Sequence, residues 1–153
     1  MLSVIPYGIT AVGMVLIARH SDKTLERRWH CAIPAFLGAI GLVAMIYTPP
    51  SNMILAIGFL SLASLGIITT MPMFWAIPTA YLKGAAAAGG IAFVNSLGLI
   101  GGFVSPFALG YIKTATGSLN GGLYAMAAVM VAGGVTLLIA VPPNFLREHS
   151  EAE

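Results

Sequence analysis

From Trp29 to Leu82 the chain runs without a single Lys, Arg, Asp or Glu. Three further stretches, Met1–Ala18, Gly84–Ile112 and Thr114–Leu146, are equally free of charge. A fold of 153 residues keeps a large fraction of its surface outside, so it cannot hide this much apolar side chain from water. With 58% hydrophobic and 8% charged residues, the solvent of this chain is lipid. Backbone polar groups in lipid need partners within the protein, which leaves helices and closed barrels. Barrel strands alternate apolar and polar residues over about ten positions. These runs do not alternate, so the sequence predicts an all-α membrane protein. A hydrocarbon core of about 30 Å takes roughly 20 helical residues to cross, giving room for about five spans. They are placed at 3–18, 31–47, 53–82, 85–112 and 121–141.

The breaks between spans are of different kinds. Arg19–His30 is dense in charge and is expected to be a loop. Pro49-Pro50-Ser51-Asn52 stops the second helix, because proline lacks a donor and restricts its predecessor. Lys83-Gly84 is a minimal turn, and Lys113–Asn120 is expected to be a polar loop. Pro72, Pro78 and Pro106 mark kink sites within spans. Met1–Ala18 has no basic segment ahead of its apolar run, so it reads as a first span and not a cleaved signal. With spans alternating in direction, Arg19, Lys23, Arg27, Arg28, Lys83 and Arg147 fall on one side and only Lys113 on the other. That bias predicts a multi-pass protein of the plasma (inner) membrane with its N-terminus outside and its C-terminus cytoplasmic.

Several function classes are excluded. The seven cations flank spans and build no broad patch for nucleic acid. Cys31 is alone, so no disulfide framework or thiolate cluster is expected. His20, His30, His149 and all five acids lie outside the expected spans, and no Ser/His pair, carboxylate pair or ligand set emerges. The expectation is no enzyme, no cofactor and no metal. The polar residues within spans are unevenly shared. Ser3, Tyr7, Thr10 and Met14 are spaced to share one face of the first helix. The third helix carries Ser61, Ser64, Trp75 and Thr79. The fourth carries Ala88, Asn95, Gly98 and Gly102 opposite the apolar stripe Phe93, Leu97, Ile100, Val104, Phe107. Helices one, three and four are therefore expected to face a polar cavity, with two and five as outer, lipid-facing supports. Each hydroxyl alone fits a bond to its own backbone or a neighbouring helix. Asn95 fits substrate contact or helix–helix glue, since a carboxamide in an apolar helix needs partners. Gly98 and Gly102 form a G-x-x-x-G pair suited to close packing.

The run from Ala18 to Arg28 resembles the G-x-x-x-D-[RK]-x-G-[RK]-[RK] signature of the major facilitator superfamily, with Ala18 and Leu25 at its glycine positions and Glu26 at a cation position. Joined with Arg27-Arg28-Trp29-His30, Phe74-Trp75-Ala76-Ile77-Pro78 and Gly84–Gly110, it resembles the anion:cation symporter family, which includes tartrate, phthalate and hydroxyphenylacetate permeases. The resemblance implies that the five spans are helices eight to twelve of a twelve-helix carrier whose N-terminal half is absent. It implies a small organic anion as substrate, a proton or sodium ion as coupling cation, and the bilayer as partner.

On that basis Asn95, Trp75, Tyr7, Thr79 and Ser61 are the expected substrate-binding residues, and Asp22, Lys23, Arg27 and Arg28 form a conformational-switch loop. A carrier of two parallel halves holds substrate between them. The chain is thus expected to be a truncated carrier that transports nothing alone. The alternative is a non-transporting five-span protein that acts as a structural or packing subunit.

Overall fold

The computed structural model describes residues 4–82 and 84–142, apart from the side chains at 80, 81 and 85. It contains five α-helices: α1 Val4–Thr24, α2 Arg27–Ile46, α3 Met53–Tyr81, α4 Ala85–Thr116 and α5 Asn120–Ala140. Each is long and apolar enough to cross a membrane. The expected all-α, five-span architecture is therefore present. Ser3, Lys83 and the tail with Arg147 and His149 lie outside the described residues.

The charged corner departs from the expected loop. α1 continues through Lys23 to Thr24 and α2 starts at Arg27, leaving only Leu25 and Glu26 between them. Arg, Lys and Glu are good helix formers, so charge here marks exit from lipid and not the end of a helix. Leu25 makes the turn with φ of 52°, in the left-handed region. Glu26 then caps α2, its carboxylate accepting the Trp29 N–H at 3.4 Å, as an N-cap carboxylate does. α4 likewise outlasts its expected end at Ile112 and reaches Thr116. There Gly117 at φ 71° closes it by donating to the Lys113 carbonyl, the left-handed glycine stop of many helices. Asn52 caps α3 by accepting from the Leu55 N–H at 3.1 Å. Pro34, Pro72, Pro78 and Pro106 all sit inside helices that continue past them.

α2 lies at the centre of the packing, against both α3 and α5, while α1 packs on α3. The core is Ala39, Leu42, Ala63 and Ala127, with Met126 and Met130 against it. Small residues permit this closeness. A Cβ added to Gly66 would strike the Gly38 backbone and the Pro34 carbonyl, and one on Gly41 would lie 2.6 Å from the Ala63 nitrogen.

The expectation that α2 is an outer support is corrected: it is the most buried of the five spans. Only its stripe Trp29, Ile33, Leu37, Ile40 faces outward. α5 fits the outer role better, exposing Val129, Val131, Val135 and Ile139. α4 is the least embedded helix, with none of its span buried. Nothing lies within 4 Å of a Cβ placed on Gly98 or Gly102, so the close approach expected of that pair is not made among the described residues. The stripe Phe93, Leu97, Ile100, Val104, Phe107 is exposed throughout.

Candidate functional site

The α1–α2 corner is the one place where charged side chains converge among the described residues. Arg27 pairs with Asp22 at 2.5 Å. The same guanidinium donates to Ser21 Oγ at 3.3 Å and approaches the Met73 sulfur of α3 at 3.9 Å. Ser21 is fully buried and donates in turn to the Glu26 carbonyl at 3.1 Å. Asp22 is 59% exposed, so the ion pair is screened and contributes only about 0.2–1 kcal/mol. A partly wet pair of this kind holds a corner while remaining easy to break.

Arg28 works differently. Its Nη2 donates to the Leu138 carbonyl near the end of α5. Its guanidinium lies 5.9 Å from the Trp29 ring centroid, within cation–π range. Its Nε is buried without a partner among the described residues. Arg27 and Arg28 thus tie the start of α2 to the C-terminal parts of α3 and α5. Lys23 is exposed. Of this network Asp22, Arg27 and Arg28 were readable from the charge pattern. Ser21 was missed, because a serine beside a charged run gives no signal of burial.

The expected substrate residues are dispersed. Tyr7 is 62% exposed on α1, while Thr10, three residues on, is buried with its hydroxyl unpartnered among the described residues. Ser61 is buried and donates to the Ile57 carbonyl at 2.6 Å. Thr79 is exposed and donates to the Trp75 carbonyl at 2.8 Å. Trp75 is half-buried, its ring edge-on to Phe74 with centroids 5.7 Å apart. Asn95 lies on the exposed surface of α4. Ser96, Thr70, Thr114 and Thr116 likewise donate to carbonyls of their own helices. This is the ordinary state of a hydroxyl in a membrane helix.

Among the described residues, three clefts stand out, and none is the expected polar cavity shared by α1, α3 and α4. One cleft, about 560 Å³, lies between α4 and α5 over Ala35, Ile67 and Thr70, and its walls are almost wholly apolar. A second, about 450 Å³, runs from Cys31 to Val141. A third, about 370 Å³, separates α1 from α3 and is lined by Ser61. None of the three is lined by Asn95, Trp75, Tyr7 or Thr79.

A bundle of five apolar helices with its charges gathered at helix ends defines a multi-pass membrane protein. Its relatives narrow that class. The chain is 45% identical over 133 residues, 86% of its own length and 30% of the relative's, to a protein of Agrobacterium vitis named a tartrate transporter. It is 38% identical, over 89% of its length and 31% of the relative's, to inner membrane transport protein RhmT of Escherichia coli. It is 36% identical, over 86% of its length and 30% of the relative's, to a quinolone resistance transporter of Acinetobacter baumannii. The chain spans about a third of the length of these curated relatives and matches their C-terminal portion. It is thus homologous to part of a membrane transporter, as the resemblance to the major facilitator superfamily implies. These relatives are named as transporters and not as enzymes. No family model and no solved structure matches the chain.

Proposed function

We propose that this chain forms part of a carrier that moves small organic anions across the plasma (inner) membrane, tartrate-like hydroxycarboxylates first among them, by symport with a proton or sodium ion. The supporting observation is the 45% identity, over most of the chain, to a relative named for tartrate. The five helices correspond in this reading to helices eight to twelve of a twelve-helix carrier, with the N-terminus outside and the C-terminus cytoplasmic. No cation stands between Trp29 and Leu82, so the charge that draws an anion to mid-membrane comes from the helices that complete the carrier.

This chain contributes polar contacts. Asn95 lies about ten residues into α4, roughly 15 Å along its axis and near the middle of a bilayer. Its carboxamide is exposed. It donates two hydrogen bonds and accepts others, which suits a carboxylate flanked by hydroxyls. Trp75 and Tyr7 are secondary contacts, and Thr79 and Ser61 offer lone pairs beyond their backbone bonds. The Asp22–Arg27 corner serves the conformational switch, because it stands at the end of the bundle and the substrate near its middle.

The test uses a chimera in which these residues replace the matching C-terminal portion of the Agrobacterium vitis relative. Asn95→Ala should weaken tartrate binding by about 1–3 kcal/mol. Asp22→Asn should slow uptake with affinity nearly unchanged. Full affinity in the Asn95 variant, or an affinity loss at unchanged turnover in the Asp22 variant, would remove these assignments.

A further inference from the structure

The α1–α2 corner holds a second cluster that the transport reading does not use. His20 Nδ1 and His30 Nε2 lie 2.7 Å apart, with ring centroids 4.9 Å apart and planes tilted by 41°. One ring comes from the last turns of α1 and the other from the first turn of α2. We propose that His20 and His30 form a chelating site for a late first-row divalent metal, of the class of Cu²⁺, Ni²⁺ or Zn²⁺.

The tautomers come first. His30 Nδ1 is 2.5 Å from the Glu26 carbonyl oxygen. That oxygen can only accept, so Nδ1 carries the hydrogen. In the neutral ring Nε2 is then a bare lone pair. A backbone carbonyl on the far nitrogen is the usual second contact of a metal-binding histidine, because it fixes both ring orientation and tautomer. His30 is thus set as a ligand through Nε2, and the facing nitrogen of His20 supplies the second.

The distances fit. Two imidazole nitrogens about 2.0–2.1 Å from one metal stand about 2.8 Å apart at a right angle and about 3.4 Å apart at a tetrahedral angle. Ring centroids then lie about 4.5–5.2 Å apart by the same geometry. The 2.7 Å and 4.9 Å found here require the rings to pivot while their centres stay nearly in place. His20 gives up its Nδ1 proton and takes one at Nε2, so the ring stays neutral and no net proton is released.

The frame is already stiff. Thr24 Oγ1 donates to the His20 carbonyl at 3.0 Å, Glu26 caps α2, and Asp22 pairs with Arg27. His20 is exposed, so the metal has a path in. No group of three or more protein ligands occurs among the described residues, so water completes the coordination. The site therefore takes a metal that tolerates open positions, and cis geometry at the shorter spacing favours Cu²⁺ or Ni²⁺ over tetrahedral Zn²⁺.

The purified chain in detergent, titrated with copper chloride, tests this. Expected is a single bound Cu²⁺ whose paramagnetic resonance spectrum carries the coupling of two imidazole nitrogens. Affinity should fall at least tenfold in His20→Gln and in His30→Gln and stay unchanged in His149→Gln. Because His30 also holds the Glu26 carbonyl, His20→Gln, which leaves that bond in place, is the deciding variant. Wild-type affinity in His20→Gln, or a spectrum with fewer than two coupled nitrogens, would overturn the site. Neither result bears on whether the chain belongs to an anion carrier.

Discussion

Leu25 is a strained residue at the tightest point of the chain. Its φ is 52° and the residue is 41% exposed, so packing returns little. A non-glycine residue in that left-handed region costs about 1–2 kcal/mol. The signature that this corner resembles has glycine at that position, and the backbone supplies the physical reason. Leu25→Gly should therefore raise stability by about 0.5–1 kcal/mol, the relief of strain less the added freedom of the unfolded chain. Chemical unfolding midpoints of the two proteins in the same detergent measure it, and a lowered midpoint would contradict the strain. The charged residues of the corner were legible, because no other stretch between spans carries so many charges; the pairing of Asp22 with Arg27 was not, because it depends on the two-residue turn at Leu25 and Glu26. Burial of Ser21 and the outward position of Tyr7 were not legible, since helical spacing gives a shared face but not its direction.

The helices themselves were legible, because long uncharged runs in lipid leave the backbone one choice. Their order of burial was not. In water an apolar stripe identifies the inward face, whereas in lipid the tails are as apolar as leucine and the stripe loses that meaning. The informative signal was small side chains. Ala32, Ala35, Gly38, Ala39 and Gly41 belong to the buried face of α2, and the polar count that cast α2 as an outer helix ignored them. The charged corner was misplaced for a related reason, since Arg19–Lys23 are compatible with helix and only their solvent changes. A substitution pair tests the packing. The methyl added by Gly66→Ala meets backbone that cannot yield, so this change should destabilise the bundle by about 1–3 kcal/mol. Gly98 has open space around it, so Gly98→Ala should leave the thermal midpoint of the same chain unchanged or slightly raised. Equal effects at the two positions would contradict the arrangement of α2 against α3.

On the scale of the whole molecule, the start of α2 sits beside the C-terminal parts of α3 and α5, so the α1–α2 corner shares one end of the bundle with them. The proposal puts that end in the cytoplasm. Reporter fusions after Asn52 and Asn120 should read external and one after Glu26 cytoplasmic, and the reverse pattern would reject the orientation. Among the described residues, α4 has none of its span buried, and Asn95, Trp75, Tyr7 and Thr79 line none of the three clefts described. Uptake of a labelled hydroxydicarboxylate into proteoliposomes tests whether these helices form part of an anion carrier. Vesicles with the chimeric carrier should show saturable uptake driven by a cation gradient, while vesicles with this chain alone should stay at the level of empty vesicles. An inserted, folded chimera that moves no organic anion, or saturable uptake by this chain alone, would contradict the account.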